Sequence, residues 1–133
     1  MLLRRLVRPA LAGSMAFAAV GAVHAQADRA LTALRAVERG QWQLKGPEGE
    51  RRVCVTDPSL LMQIQHGPAQ CAHFVIENAA KAATVRYTCP GHGHGRTTLS
   101  VETPRLLRIE TQGVIDGAPF SSELEARRLG ACD

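Results

Sequence analysis

The stretch Ala82-Ala83-Thr84-Val85-Arg86-Tyr87-Thr88-Cys89 decides the fold class. Ala83, Val85, Tyr87 and Cys89 fall on one side of an extended chain and Thr84, Arg86 and Thr88 on the other, the period-two alternation of a strand with one buried face. The pattern recurs downstream. Arg96 to Glu102 sets Thr97, Leu99 and Val101 inward, Pro104 interrupts, and Leu106 to Gln112 sets Leu107 and Ile109 inward against Arg108, Glu110 and Gln112. Asp116-Gly117 marks a reversal, because this pair tolerates the positive φ angles of a two-residue hairpin turn. Phe120 to Arg128 then alternates again, with Phe120, Leu124 and Ala126 on one side and Glu123, Glu125 and Arg127 on the other.

Upstream the segments are equally short. Gly40 to Leu44 is a strand carrying Trp42, Lys45 to Glu50 a polar turn, Glu50 to Thr56 a second strand, and Ala72 to Glu77 a third. Asp57-Pro58-Ser59 opens a brief helical turn through Met62, with Asp57 as cap and Pro58 at the first position. Ala27, Ala30, Leu31, Leu34 and Val37 recur at helical spacing and predict a short amphipathic helix over 26–39. The expected fold is mainly β: a curled antiparallel sheet or half-barrel of about seven short strands behind a short N-terminal helix. Its apolar face needs a cover, which closure or the helix can supply.

The chain of 133 residues has room for one domain, expected over 40–133. Before it lies the pattern of a secretory signal peptide over 1–25: Arg4, Arg5 and Arg8, then an uncharged run from Leu11 to Val23, then Val23-His24-Ala25 as a small-x-small cleavage site. The run falls short of the roughly 20 residues a spanning helix needs, so no membrane span is expected after cleavage. Three of the 16 Lys and Arg leave with the leader and all 12 Asp and Glu remain, which lowers the net charge from +4 to +1. Nucleic-acid binding thereby loses its electrostatic support. Arg51-Arg52 and Arg127-Arg128 are read as solvated strand edges.

Four cysteines, Cys54, Cys71, Cys89 and Cys132, follow the leader, an even number in a small exported chain, which predicts two disulfides and a periplasmic or secreted location. Three pairings are open. The favoured one is Cys54–Cys71, closing a local loop, with Cys89–Cys132 tying a central strand to the chain end. Aromatic content is only 4%, so the core is thin, and Trp42 is expected inside it as a structural residue.

Gly40-x-Trp42 at the first strand, Cys54 followed by Thr56-x-Pro58, Cys71, Cys89 before a Gly-rich turn, and Arg127-x-Leu129-Gly130-x-Cys132 occur in an order that resembles the domain of unknown function 3617 family, small exported bacterial proteins. The resemblance runs from Gly40 to Cys132. It implies an exported, disulfide-containing, β-rich domain and transfers no catalytic residue. The chain departs from the family pattern by placing histidines in the Gly-rich turn.

That turn, Gly91-His92-Gly93-His94-Gly95, is the candidate metal site, with His92 and His94 as ligands for zinc or copper. Two imidazoles fall short of the three or four ligands a stable site uses, and the cysteines are expected in disulfides. No catalytic residue is identified: Ser59, Ser100, Ser121 and Ser122 lack a nucleophile elbow, no Cys-x-x-Cys is present, and Asp57, Glu77, Glu110, Glu123 and Glu125 fit a solvated face. No cofactor is implied. The expected function is a non-catalytic binding or interaction module whose sheet face or edge takes a small apolar ligand, an envelope component or another protein. A metal-binding protein built on His92 and His94 is the alternative, and a small hydrolase ranks last.

Overall fold

A computed structural model describes residues 31–133; the expected leader over 1–25, and the start of the expected helix over 26–39, lie outside the described residues. The described chain runs through a 3-10 turn η1 (Thr32–Ala36), strands β1 (Gly40–Gly46) and β2 (Gly49–Val55), a second 3-10 turn η2 (Pro58–Gln63), and strands β3 (Ala72–Asn78), β4 (Ala82–Cys89), β5 (Gly93–Thr103), β6 (Leu106–Ile115) and β7 (Ala118–Gly130). All seven strands form one antiparallel sheet in the order β2-β1-β7-β6-β5-β4-β3. The sheet is open, with β2 and β3 as its two edges.

Strands β3 to β7 are a meander, each hydrogen-bonded to the next in sequence. The N-terminal hairpin β1–β2 joins it by laying β1 against β7, in a register that sets Leu44 opposite Ala126 and Trp42 opposite Arg128. Arg127 and Arg128 therefore lie in a strand paired on both sides, which corrects their assignment to a strand edge. Arg128 Nε donates to the Arg39 carbonyl at 2.8 Å and lies 3.5 Å from the Glu38 carboxylate. At the Asp116-Gly117 turn the two φ angles are 48° and 84°, the twist that joins β6 to β7 without splaying them.

The alternation expected of β4 to β7 is present in the burial pattern. Ala83, Val85, Tyr87, Cys89, Leu99, Val101, Leu107, Ile109, Leu124 and Ala126 are buried on one face, joined by Trp42, Leu44 and Val55. The two 3-10 turns cover that face with Leu31, Ala33, Leu34, Val37, Leu61, Met62 and Ile64, all in the same apolar cluster. Where an amphipathic α-helix is expected, the described part of the segment is a 3-10 turn with amide bonds from Leu34 to the Leu31 carbonyl and from Val37 to that of Leu34. Leu31, Leu34 and Val37 are three residues apart, a spacing that one 3-10 stripe satisfies and that the sequence shares with an α-helix. η2 starts as expected: the Asp57 carboxylate accepts from the Ser59 amide at 2.9 Å, and that bond holds its carboxyl below the usual range.

The disulfides are Cys54–Cys132 and Cys71–Cys89, not the expected Cys54–Cys71 and Cys89–Cys132. The strand order explains the exchange. Cys54 lies on edge strand β2, while Cys71 leads into β3 at the opposite edge, with five strands between. Cys71 lies one step beyond the Ala72–Thr88 pair, so it faces Cys89 directly, at a Cα separation of 4.1 Å. Cys132 follows β7, which brackets β1 together with β2, so the chain end reaches Cys54 at 5.7 Å.

Trp42 is fully buried and its indole N–H donates to the Glu38 carbonyl at 2.9 Å. Trp42→Ala should cost about 3–5 kcal/mol, read as a fall in the urea midpoint. Removing Cys54–Cys132, which joins residues 78 apart, should cost about 1 kcal/mol more than removing Cys71–Cys89, which joins residues 18 apart, because the longer loop restricts the unfolded chain more. Urea unfolding of the paired Cys→Ser variants measures the difference.

Candidate functional site

Four residues stand in one row across the inner face, Tyr87 on β4, Gly95 on β5, Gly113 on β6 and Phe120 on β7, each directly opposite the next. The two glycines leave a slot between the aromatic rings. A Cβ at Gly95 would collide with the Tyr87 ring, so that ring lies across the glycine. Into the slot, from the segment after η2, comes His66, edge-on to both rings, with centroids 5.1 Å from Tyr87 and 5.9 Å from Phe120.

The imidazole is held at both nitrogens. Nε2 lies 3.2 Å from the His92 carbonyl and 3.1 Å from the Val114 carbonyl, and two acceptors require that Nε2 carry the proton. Nδ1, 3.0 Å from the Tyr87 hydroxyl, is then the acceptor and the tyrosine the donor. The Tyr87 oxygen is also bonded to the Thr111 hydroxyl, which lies 2.9 Å from that of Thr97. Burial pushes the Tyr87 hydroxyl above its usual range, partly offset by Thr111. Among the described residues no buried side-chain nitrogen or oxygen lacks a partner. His66 therefore has no lone pair or proton to spare for a substrate: this cluster locks the 64–71 segment onto the sheet. Sequence reasoning passed over His66 because its partners lie 21 to 48 residues away.

His92 and His94 are placed apart in role. β5 begins at Gly93, so the Gly-rich turn is shorter than 91–95 and His94 sits within a strand, exposed. Opposite Thr88, it falls on the outer face of the sheet. His92 remains in the turn, its Nδ1 3.6 Å from an Asp116 carboxylate oxygen. No group of three or more metal-ligating side chains occurs among the described residues, and all four cysteines are in disulfides. His73, on β3, is edge-on to Tyr87 at 6.2 Å. Asp57 caps η2, and Glu110 lies directly opposite Glu123 on the outer face.

The inner face, where an apolar ligand was expected, is filled by the chain's own residues from η1 and η2. Of two surface clefts, one of about 140 Å³ at the β1–β2 turn has Glu48, Glu50, Arg51 and Gln65 in its wall, and one of about 220 Å³ beside Lys45, Glu102 and Arg108 is lined largely by charged side chains. Neither suits an apolar molecule.

The sheet edges differ. β2 presents Glu50, Arg51 and Arg52, and Arg51 reaches back to the Ile64 carbonyl, so this edge is charged and partly covered. β3 is exposed along all seven residues, with Phe74 at 66%, Val75 at 40% and Ile76 at 45% of full exposure. A bulge between Val75 and Glu77 leaves Ile76 without a partner in the β3–β4 ladder. Among the described residues no strand pairs with the outer side of β3, and three consecutive large apolar side chains on such an edge are uncommon, because natural sheets protect edges with charge or cover. In the sequence Phe74-Val75-Ile76 is legible only as part of a strand, since edge position is a property of the whole sheet.

No protein-family profile matches this chain, and no curated protein matches it. No helix among the described residues is long and apolar enough to cross a membrane.

The ring ¹⁵N shifts of His66 should be those of the Nε2–H tautomer. Tyr87→Phe, which removes the donor to Nδ1, should lower stability by about 1–3 kcal/mol in urea unfolding. Tautomer averaging in the wild-type protein would contradict the assigned direction of the bonds.

Proposed function

We propose that the protein is an exported, non-catalytic interaction module that receives an extended segment of a partner protein along the free edge of β3. The observation that carries this is the contrast between the two edges: β2 bears adjacent charges, whereas β3 bears Phe74-Val75-Ile76 in the open. An unpaired strand offers a row of backbone donors and acceptors that a partner strand can complete, and flanking apolar side chains supply affinity. The bulge at Ile76 limits the matching register and so disfavours indiscriminate pairing.

Several features agree with this role. Two disulfides suit an oxidising compartment, in line with the leader pattern over 1–25 and with a periplasmic or secreted location. The resemblance to the domain of unknown function 3617 family points to the same setting. The His66–Tyr87 cluster is saturated with internal hydrogen bonds, which favours binding over catalysis.

A displayed library of seven-residue peptides, panned against the immobilised protein, tests the proposal. Enrichment of alternating apolar sequences, lost with Ile76→Lys and kept with the β2 variant Arg52→Lys, is the expected result. No enrichment, or enrichment indifferent to Ile76→Lys, would overturn it.

A further inference from the structure

On the outer face a second row crosses five strands: Phe74 on β3, Arg86 on β4, Arg96 on β5, Gln112 on β6 and Ser121 on β7, each opposite the next. Arg86 and Arg96 are therefore direct cross-strand neighbours, with Cβ atoms about 5 Å apart. Both are exposed. Like charges in this position destabilise a sheet. Several arginines elsewhere on the strands and their turns have carboxylate partners, Arg105 and Arg128 with Glu38, Arg108 with Glu102, and Arg127 with Glu125, and Arg51 on β2 reaches the Ile64 carbonyl. Among the described residues neither the Arg86 nor the Arg96 guanidinium has a hydrogen bond or an ion pair.

We propose that this pair is a binding site for a small phosphate monoester, with the dianion held between Arg86 and Arg96 and the organic group resting against Phe74. Each guanidinium presents a planar fork of N–H donors, and two forks side by side match a tetrahedral oxoanion, whose three free oxygens serve both; a carboxylate's two oxygens are consumed by one fork. The Phe74 ring, two-thirds exposed and next in the row after Arg86, provides an apolar wall on one side. Gln112 and Ser121 continue the row on the other side with further donors.

The size of the ligand follows from the adjacent row. One step along the strands, Glu77, Thr84, Thr98, Glu110 and Glu123 stand opposite one another in turn, three carboxylates on the same face. A polyanion or an anionic bilayer laid across the sheet would meet this acidic row. A single phosphate group confined to the Arg86–Arg96 pair avoids it. The site goes beyond the β3-edge proposal; the two share Phe74, and the arginine variants tell them apart because neither arginine belongs to β3.

Calorimetric titration of the protein with phenyl phosphate at low ionic strength tests the site, with inorganic phosphate, benzoate and phenol as comparison ligands. Expected are saturable one-to-one binding of phenyl phosphate, weaker binding of inorganic phosphate, and a loss of about tenfold or more in either Arg86→Gln or Arg96→Gln. Arg127→Gln, on the same face but ion-paired, should bind as the wild type does. Phe74→Ser should reduce binding of phenyl phosphate and leave that of inorganic phosphate unchanged. Thermal unfolding gives a second readout: phenyl phosphate should raise Tm in the wild type and not in the two arginine variants, whose own Tm at low salt should be no lower than that of the wild type. Absence of saturable binding, equal binding of inorganic phosphate and phenyl phosphate, benzoate bound as tightly, or equal loss in Arg127→Gln would each overturn the proposal.

Discussion

The pairing of β1 with β7 joins the first strand of the described chain to the last. Without it there would be a five-stranded meander and a separate hairpin, neither with enough apolar surface to cover itself. Once Leu44 sits opposite Ala126, Trp42 is carried under the sheet, where its indole N–H finds the Glu38 carbonyl. The same ladder brings the chain end within reach of Cys54, so the long-range disulfide records a contact that the hydrogen bonds already make. It also determines which strands are left over: β2 at one edge and β3 at the other.

The cover over the inner face is assembled from little regular structure. Two 3-10 turns and the 64–71 segment do the work that a full helix performs in larger α+β domains, and each is pinned by a specific polar contact. Thr32 donates its amide to the Asn78 side chain at 2.7 Å, Gln63 donates to the carbonyls of Gly67 and Ala69, and His66 enters the glycine slot between Tyr87 and Phe120. Short turns offer few apolar contacts, so the directional bonds carry the task of specifying how the cover sits. That is why the buried polar side-chain atoms are matched so fully among the described residues.

A filled interior moves the interest to the surface, where the two proposed sites share Phe74. Its backbone belongs to the free edge of β3 and its ring to the outer row that continues through Arg86 and Arg96. An extended partner on the edge and a phosphate ester on the face would thus touch the same side chain from two directions, by hydrogen bonding of the backbone in one case and by stacking against the ring in the other. Small domains with thin cores gain stability from disulfides, which frees apolar residues such as Phe74, Val75 and Ile76 from the core.

Local chemistry was sufficient for part of this. The alternation in 82–89, 96–102, 106–112 and 120–128, the Asp116-Gly117 reversal and the Asp57 cap each depend on residues within a few positions of one another, and they were enough to place the strands, this reversal and the buried faces of β4 to β7, while the even cysteine count was enough for two disulfides. Three-residue spacing at Leu31, Leu34 and Val37 did not distinguish an α-helix from a 3-10 turn, since both place those side chains on one stripe. The disulfide pairing, the central place of Arg127 and Arg128, the slot that holds His66, and the facing arginines Arg86 and Arg96 were decided only by the tertiary structure. Each depends on which strand lies beside which, a long-range choice made by packing Trp42 and its neighbours under the sheet, and hydrogen-bonding patterns along a single strand carry no information about it.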